Sequence, residues 1–278
     1  MAERTLTLAP ADPNALFALL AEPRFLRHLV AYEGCPFATL EGARGDVLFH
    51  FGPRALFHLQ ADHRRLDCAF VRPGDRLGER VLLDTVLWTT SLHLGLELLH
   101  ASAVATERGV VAFVAAQGGG KTTLATEFLR RGGVLFTDDI VALDESGGTI
   151  VGHPGPAVMN LPIAIDPSEL SDAVPLATFG DERWVQLPTV PQPPTRLAAV
   201  VLVRRTDGTE LRCQRVPAST LTLLPFAIAL PHMTARGRHR FEVFGALADA
   251  TPILELTADL TTPPGALADA IDRELDRL

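Results

Sequence analysis

The sequence has almost no lysine, because 24 of its 25 basic residues are arginine and the single exception is Lys121. Basic residues are also outnumbered by acidic ones, and the 278-residue chain carries a formal net charge of −8. This balance argues against general binding to nucleic acid. No unbroken apolar run is longer than seven residues, whereas a membrane-spanning helix needs about 20. We therefore expect neither a nucleic acid nor a membrane as partner.

Cysteine is scarce as well. The three cysteines, Cys35, Cys68 and Cys213, are odd in number and lack the spacing of metal ligands, which excludes a disulfide framework or a zinc site. The first 13 residues have neither the basic start nor the apolar core of a signal peptide. These absences predict a protein of the reducing cytoplasm. The hydrophobic fraction of 47% is enough for a sizeable core in one large domain or two small ones.

Residues 1–98 contain no chemical motif and predict a small α+β unit. Apolar spacing and β-rich runs place its elements as follows: helices over Asn14–Leu20, Arg24–Ala31 and Arg80–Leu99, and strands over Asp46–Phe51, Ala55–Gln60 and Asp67–Val71. In the third helix Gly95 is interpreted as a tolerated weak point. We expect this unit either to recognise an acceptor or only to complete the core.

The clearest chemical signal follows a buried strand over Val110–Ala115. A glycine-rich loop comes next, then a helix over Thr122–Arg131 and a short strand over Val134–Phe136. This order is typical of a βαβ unit, whose ligands bind at the carboxyl edge of the strands. The loop and the pair Asp138-Asp139 both fall at that edge, so we expect them to face each other across a small gap.

The loop ends in the pattern of a phosphate-binding P-loop. Successive glycines let backbone N–H groups turn toward phosphate oxygens, and the following helix adds its N-terminal partial charge. A lysine ammonium reaches the β- and γ-phosphates, and the Thr122 hydroxyl is placed to ligate Mg²⁺. Ala115 replaces the first glycine of the pattern. The predicted nucleotide-binding residues are Gln117, Gly118, Gly119, Gly120, Lys121, Thr122 and Thr123.

Asp138 and Asp139 supply the carboxylates that phosphoryl transfer requires. One holds the metal, and the other orients and deprotonates an acceptor hydroxyl. We assign the base to Asp138 and the metal to Asp139, although the sequence leaves the reverse open. His100 begins the strand expected beside the P-loop strand and is placed to contact the γ-phosphate or an aspartate. Closing the preceding helix is its alternative role.

Two further segments lie outside this motif. The turn His153–Pro156 is placed to border the nucleotide, or is a plain loop. Arg236 and Arg238 belong to the densest basic cluster in an acidic chain, and such a cluster can contact phosphate or an acidic substrate. A solvated turn is the alternative for that cluster. Pro188–Pro194 predicts an extended surface loop.

Over residues 99–145 the chain resembles the catalytic domain of the HPr kinase/phosphorylase family and its smaller serine kinase relatives. The matching features are His100–Val104, the strand Val111–Val114, Gly118–Thr123, Arg131-Gly132 and Thr137–Asp139. Weaker likeness continues through an apolar strand over Leu197–Val203, a strand near Pro252–Leu256 and a final helix over Pro264–Leu278. The loop departs from the family pattern at Ala115 and Gln117, and residues 1–98 do not resemble the N-terminal domain of full HPr kinases.

This resemblance implies an α/β fold with a P-loop kinase core of the HPr kinase/PEP carboxykinase-like type over residues 99–278. It also implies an ATP- and Mg²⁺-dependent kinase that phosphorylates a hydroxyl, typically serine, of a peptide or protein. Precursor peptides of natural products are one such acceptor. The alternatives are a small-molecule kinase and a nucleotide-binding regulatory module without transfer activity. Neither the oligomeric state nor phosphatase activity can be predicted.

Overall fold

A computed structural model describes residues 6–188 and 190–278 of the chain. It divides into two compact units, the first ending at Gly95 and the second beginning at Leu96. Each unit has its own hydrophobic clusters. No helix of the described residues is long and apolar enough to cross a membrane.

The first unit is built on a six-stranded sheet in the order β1-β6-β5-β4-β3-β2. Only β1 and β6 run parallel; the other neighbours are antiparallel. Its strands are β1 (Thr7–Pro10), β2 (Arg24–Tyr32), β3 (Cys35–Gly42), β4 (Val47–Phe51), β5 (Ala55–Leu59) and β6 (Arg65–Phe70). The strands predicted over Asp46–Phe51, Ala55–Gln60 and Asp67–Val71 are confirmed.

Helices cover the two faces of this sheet. Helix α1 (Pro13–Ala18) lies on the smaller cluster around Leu48 and Leu56, and a short 3₁₀ turn (Leu19–Ala21) follows it. The other face buries four phenylalanines against the second helical segment. That segment is α2 (Arg76–Val81), a π-helical turn (Leu82–Val86) and α3 (Leu87–His93).

The helix predicted over Arg24–Ala31 is wrong, because this segment is the edge strand β2. Its pairing with β3 shifts register between Leu26 and His28. The extra residue of such a bulge breaks the alternation of side chains. Apolar residues therefore fall at a spacing that imitates a helix.

The helix predicted over Arg80–Leu99 is also wrong at its end. The helical segment stops at His93, and Gly95 adopts a left-handed φ of 90° that terminates it. The chain then enters strand β7 (Glu97–His100). The apolar residues Leu96, Leu98 and Leu99 are therefore those of a buried strand.

The second unit has three sheets. The largest has the order β10-β8-β9-β16-β19-β17, the second β12-β11-β7-β18 and the third β13-β15-β14. Their remaining strands are β8 (Ser102–Thr106), β9 (Gly109–Ala115), β10 (Val134–Thr137), β11 (Ile140–Ser146), β12 (Thr149–His153), β13 (Val158–Pro162), β14 (Val174–Phe179), β15 (Glu182–Gln186), β16 (Leu197–Arg205), β17 (Arg212–Val216), β18 (Ala227–Ile228) and β19 (Ile253–Ala258).

Strand β9 lies at the centre of this unit and is buried on both faces. Val111, Phe113 and Ala115 pack against α4 (Lys121–Arg130) and α7 (Pro264–Leu275). The alternate residues pack against α6 (Gly237–Ala250) and the second sheet. Helix α5 (Thr220–Leu223) and short 3₁₀ turns (Pro167–Glu169, Leu224–Phe226, Thr234–Arg236) complete the unit. The mixed α/β architecture expected from the sequence is therefore present.

Two chain crossings between sheets position the candidate site. The chain leaves β7 at His100 and enters β8 at Ser102; it leaves β10 at Thr137 and enters β11 at Ile140. The crossings lie side by side, because the Ala101 N–H donates to the Asp139 carbonyl at 3.0 Å. Strand β8 runs antiparallel between β9 and β10, so β9 and β10 are parallel but not adjacent. The ends of both strands meet one edge of the sheet.

The segment Pro188–Pro194 forms neither helix nor strand in its described residues, which exclude Thr189. Gln192 donates its side-chain N–H to the Leu135 carbonyl at 2.9 Å, at the edge strand β10. The predicted strand over Leu197–Val203 is confirmed as β16, and the predicted final helix as α7.

Candidate functional site

The glycine loop links the buried end of β9 to the start of α4. Gly118 and Gly120 have left-handed φ values of 71° and 98°, which residues with a side chain rarely adopt. The Gly119 N–H donates to the Ala116 carbonyl at 2.9 Å and tightens the turn. Helix α4 is ten residues long, and no side chain caps its first turn. Such a helix end presents unpaired N–H groups to an anion.

Ala115 fits its position without strain. It is the last residue of β9, it is buried, and it is not among the residues with positive φ. A Cβ added to Gly119 would lie 2.7 Å from the Ala115 Cβ. Glycine at 119 therefore makes room for alanine at 115, and the departure from the motif leaves the shape of the loop intact.

Lys121 is only 8% exposed. Its ammonium makes no hydrogen bond or ion pair with any described residue. The side chain is largely buried, but Nζ is not among the fully buried polar atoms that lack a partner, so the ammonium is accessible to an anion drawn to the loop. The Thr122 side-chain hydroxyl likewise has no hydrogen-bond partner in the described chain, while its carbonyl accepts from Thr126 at 2.7 Å.

Asp138 is held by residues from two other strands. Its Oδ1 accepts from the Ser102 hydroxyl at 2.8 Å, and its Oδ2 accepts from the Asn160 backbone N–H at 2.9 Å. Ser102 begins β8, and Asn160 is the middle residue of β13. Both carboxylate oxygens are therefore fixed, which orients the group.

Burial raises the pKa of Asp138 to about 7, and the neighbouring charge of Asp139 adds to the shift. The hydrogen bonds from Asn160 and Ser102 oppose it, since they stabilise the ionised form. The side chain keeps some exposed surface, but protein atoms surround most of it. A carboxyl group with a pKa close to neutral is suited to accept a proton at physiological pH.

Asp139 has a left-handed backbone with φ of 61°, a conformation that aspartate tolerates better than most residues. Its carboxylate has one long hydrogen bond, 3.5 Å from Asn160 Nδ2. The Asn160 Oδ1 is buried and has no partner in the described chain. Asp139 therefore keeps most of its capacity to bind a ligand.

His100 interacts electrostatically with both halves of the site. Burial lowers its pKa, the charge of Lys121 lowers it further, and the charge of Asp139 raises it. Because its pKa lies below the usual 6.5, the imidazole of His100 is neutral at pH 7. Strand β7 ends at His100 and β8 begins at Ser102, so His100 neither begins the strand beside β9, as predicted, nor closes a helix.

The turn His153–Pro156 packs behind the aspartates. The Gly155 N–H donates to the Phe136 carbonyl at 2.8 Å, and an added Cβ on Gly155 would lie 2.2 Å from the Thr137 hydroxyl oxygen. The turn therefore supports the residue that precedes Asp138. Its predicted contact with nucleotide stays a prediction.

The structure gives the two predicted arginines other partners. Arg236 forms an ion pair at 2.7 Å with Glu97, which is fully buried and is also bound by Arg240 at 3.0 Å. Arg238 is exposed on α6 and pairs with Glu242 at 2.8 Å, one turn along the helix. Both arginines are thus paired with glutamates of this chain. The predicted contact of Arg236 and Arg238 with phosphate or substrate stays a prediction.

Sequence reasoning missed Ser102 and Asn160. Ser102 lies within the segment that resembles the kinase family, but nothing marked its hydroxyl as a partner of Asp138. Asn160 had no sequence signal, because it lies 22 residues after Asp138 on a different sheet. Its role depends on where β13 is placed.

The residue types predicted to hold the metal are those that Mg²⁺ binds. Thr122 and Asp139 offer a hydroxyl and a carboxylate, the hard oxygen ligands that Mg²⁺ prefers. Among the described residues no group of three or more His, Cys, Asp or Glu side chains could hold a metal ion. Mg²⁺ usually takes only one or two protein ligands and completes its shell with phosphate and water.

No protein-family model matches the chain, and no curated protein sequence matches it. Among solved structures, the chain is similar to the Hpr(Ser) kinase/phosphatase from Coxiella burnetii. The TM-score is 0.33 and the sequence identity is 11%, over 65% of this chain and 91% of that chain. The likeness to that protein is distant.

Proposed function

We propose that this protein is an ATP-dependent phosphotransferase that moves the γ-phosphate of ATP to a hydroxyl group, with serine of a peptide or protein as acceptor. The observation that carries the proposal is one sheet edge with two complementary halves. One half is a glycine loop with a buried, partnerless Lys121. The other is Asp138, oriented by two hydrogen bonds and poised to ionise near neutral pH.

The glycine loop would bind the phosphates of the nucleotide. Its backbone N–H groups and the uncapped start of α4 supply donors and partial positive charge. Lys121 adds a full charge that is not neutralised by any carboxylate within ion-pair distance. Because the side chain of Lys121 is largely buried, this charge acts in a medium where electrostatic attraction is stronger than in water.

Asp138 would act as the base. Its carboxylate accepts the proton of the acceptor hydroxyl while the acceptor oxygen forms a bond to the γ-phosphorus. The bond from that phosphorus to the bridging oxygen breaks, and ADP leaves with the electron pair. Asn160 and Ser102 would keep the carboxylate oriented through this step, and His100, with its lowered pKa, would assist as a neutral imidazole.

Thr122 and Asp139 would hold Mg²⁺, which neutralises charge on the phosphates when bound. The long hydrogen bond from Asn160 to Asp139 keeps that carboxylate at the sheet edge. Catalysis in this arrangement rests on positioning and electrostatics more than on covalent chemistry by the protein.

The first experiment is a calorimetric titration of the purified protein with ATP–Mg²⁺. It is followed by mass spectrometry of peptides and proteins encoded near the gene after incubation with ATP, looking for one added phosphate. Saturable nucleotide binding and a single +phosphate product on a serine are expected. A protein that binds no nucleotide would overturn the proposal.

Two other functions use the same nucleotide site. A small-molecule kinase differs only in the acceptor, so turnover with small hydroxyl compounds and none with peptides would favour it. A regulatory module would bind nucleotide without any turnover. The oriented Asp138 favours a transferase over a regulatory module. A carboxylate with a strongly raised pKa is typical of catalytic sites, whereas nucleotide binding alone does not require one.

A further inference from the structure

Besides Lys121, a second cationic side chain, that of Arg205, lies beside the glycine loop. A Cβ built on Gly120 would be 3.7 Å from Arg205 Cδ and 3.8 Å from Arg205 Nη1. Arg205 is the last residue of β16, the parallel neighbour of β9, and the register pairs Val203 with Ala115. The arginine therefore extends past the point where β9 turns into the loop.

Three neutral carbonyls fix the guanidinium. Arg205 Nε and Nη2 lie 3.4 and 3.3 Å from the Asp259 carbonyl, and Nη2 also lies 3.1 Å from the Thr262 carbonyl and contacts the Leu260 carbonyl. This leaves Nη1, the nitrogen nearest the loop, without a hydrogen-bond partner among the described residues. A planar guanidinium held in this way is pre-organised to bind an oxyanion with its free edge.

Arg205 forms no ion pair in the described chain, and the Asp259 carboxylate interacts with its charge only beyond ion-pair distance. No carboxylate in the described chain lies within ion-pair distance of it, whereas the adjacent Arg204 pairs with Glu255 at 3.2 Å. Carbonyl oxygens satisfy hydrogen bonds but do not cancel a full charge. Lys121 and Arg205 thus place two unpaired cations at the same loop.

The sheet order places Arg205 on the flank away from the aspartates. Strands β8 and β9 lie between β10 and β16, so the two flanks are about three strand spacings, or about 14 Å, apart. The transferred phosphate must lie near Asp138. Arg205 would therefore lie beside the phosphates that remain with a bound nucleotide.

We propose that Arg205 binds the non-transferring phosphates of the nucleotide through Nη1, as a binding residue distinct from the transfer machinery. The inference rests on the proposed function, because it requires a nucleotide in the loop. It predicts that Arg205 contributes equally to ATP and ADP binding and leaves the transfer step unchanged.

The test measures dissociation constants for ATP–Mg²⁺ and ADP–Mg²⁺ by calorimetry at several salt concentrations. Arg205→Ala is expected to weaken both nucleotides about tenfold and to reduce the salt dependence of affinity, because one cation has left the phosphate site. Arg205→Lys should recover part of both effects. The matched control is Arg204→Ala, which removes an equal charge one residue away and should change neither.

The outcomes separate the two proposals. No nucleotide binding by the wild-type protein overturns the proposed function and this inference with it. Wild-type binding with unchanged affinity in Arg205→Ala overturns this inference alone. If binding weakens but its salt dependence is unchanged, Arg205 only stabilises the loop at residues 259–262. That result also overturns this inference. If Arg205→Ala weakens the binding of ATP but not of ADP, Arg205 contacts the transferred phosphate, which contradicts its placement beside the other phosphates.

Discussion

The glycine loop and the aspartate corner, which consists of Asp138 and Asp139 with Ser102 and Asn160, share one edge of a sheet, yet they are built in opposite ways. The loop comes from consecutive residues, and its Lys121 and Thr122 side chains have no partners in the described chain. The corner gathers residues from two strands and from the crossing between β10 and β11, and both oxygens of Asp138 are bound. A surface left unsatisfied is suited to take up a ligand, whereas a satisfied one is suited to hold a reactive group still.

The two halves also treat charge differently. The loop keeps positive charge without carboxylates within ion-pair distance, which favours an anion. The corner crowds two carboxylates, and burial makes ionisation of Asp138 costly. The loop would therefore supply binding and the corner proton transfer, and the variants below separate these contributions.

The largest expected effect is from Asp138→Asn. The amide cannot accept the acceptor proton, so we expect transfer to fall by about 10²- to 10⁴-fold. Nucleotide affinity should stay within about threefold of wild type, because the corner does not bind the phosphates that stay behind. Steady-state turnover and calorimetry on the same preparation check both. Transfer at the wild-type rate would exclude Asp138 as base.

Lys121→Ala should affect both binding and transfer. Removing the ammonium takes away charge that stabilises ground state and transition state, so we expect a loss of about 10²- to 10³-fold in kcat/KM. The dissociation constant for ATP should rise as well. Circular dichroism serves as the control for folding. Full activity in a folded variant would contradict the assignment of the loop.

Ser102→Ala should shift the pH profile of transfer. The Ser102 hydrogen bond lowers the pKa of Asp138, so its loss raises that pKa. The rise of the transfer rate with pH, which follows ionisation of the base, should therefore occur at higher pH. We expect a rate at pH 7 about tenfold lower, with recovery as the pH rises. An unchanged pH profile would show that the Ser102 hydrogen bond does not affect the ionisation of the catalytic base.

Asp138→Asn should also change stability with pH, measured by urea unfolding without metal. In the wild-type protein the pKa of Asp138 is raised on folding, so the folded chain holds its proton longer. Stability conferred by this group is present below about pH 4 and is lost as the pH rises toward 7. The variant lacks this loss and should gain on the order of 4 kcal/mol relative to wild type between pH 4 and 8. A constant difference across that range would contradict the raised pKa.

Ala115→Gly should have the smallest effect. The residue is buried at a strand end and needs no positive φ, so restoring the glycine of the motif changes no required conformation. We expect nucleotide affinity and turnover within about twofold of wild type, with stability lower by about 1 kcal/mol. An activity gain of tenfold or more would show that Ala115 impairs the loop.

The sequence alone was sufficient for the elements with strong local signals. The strand of β9, the loop and helix α4 follow from a continuous apolar run, successive glycines and helical spacing, all of which act over a few residues. The edge strand β2 was mistaken for a helix because its bulge depends on pairing with β3. The helix after Arg80 was extended through Gly95 because the left-handed turn there is not apparent from spacing.

Tertiary structure decided how the halves of the site meet. Ser102 and Asn160 reach Asp138 across 36 and 22 residues, and only the paired crossings between sheets bring them together. The unpaired charge of Arg205 likewise appears only when β16 is placed beside β9. The glycine loop and the carboxylate pair depend on neighbouring residues, so the sequence is enough to predict them. The orientation of the base and its raised pKa depend on burial and on hydrogen bonds between distant strands, so only the folded chain determines them.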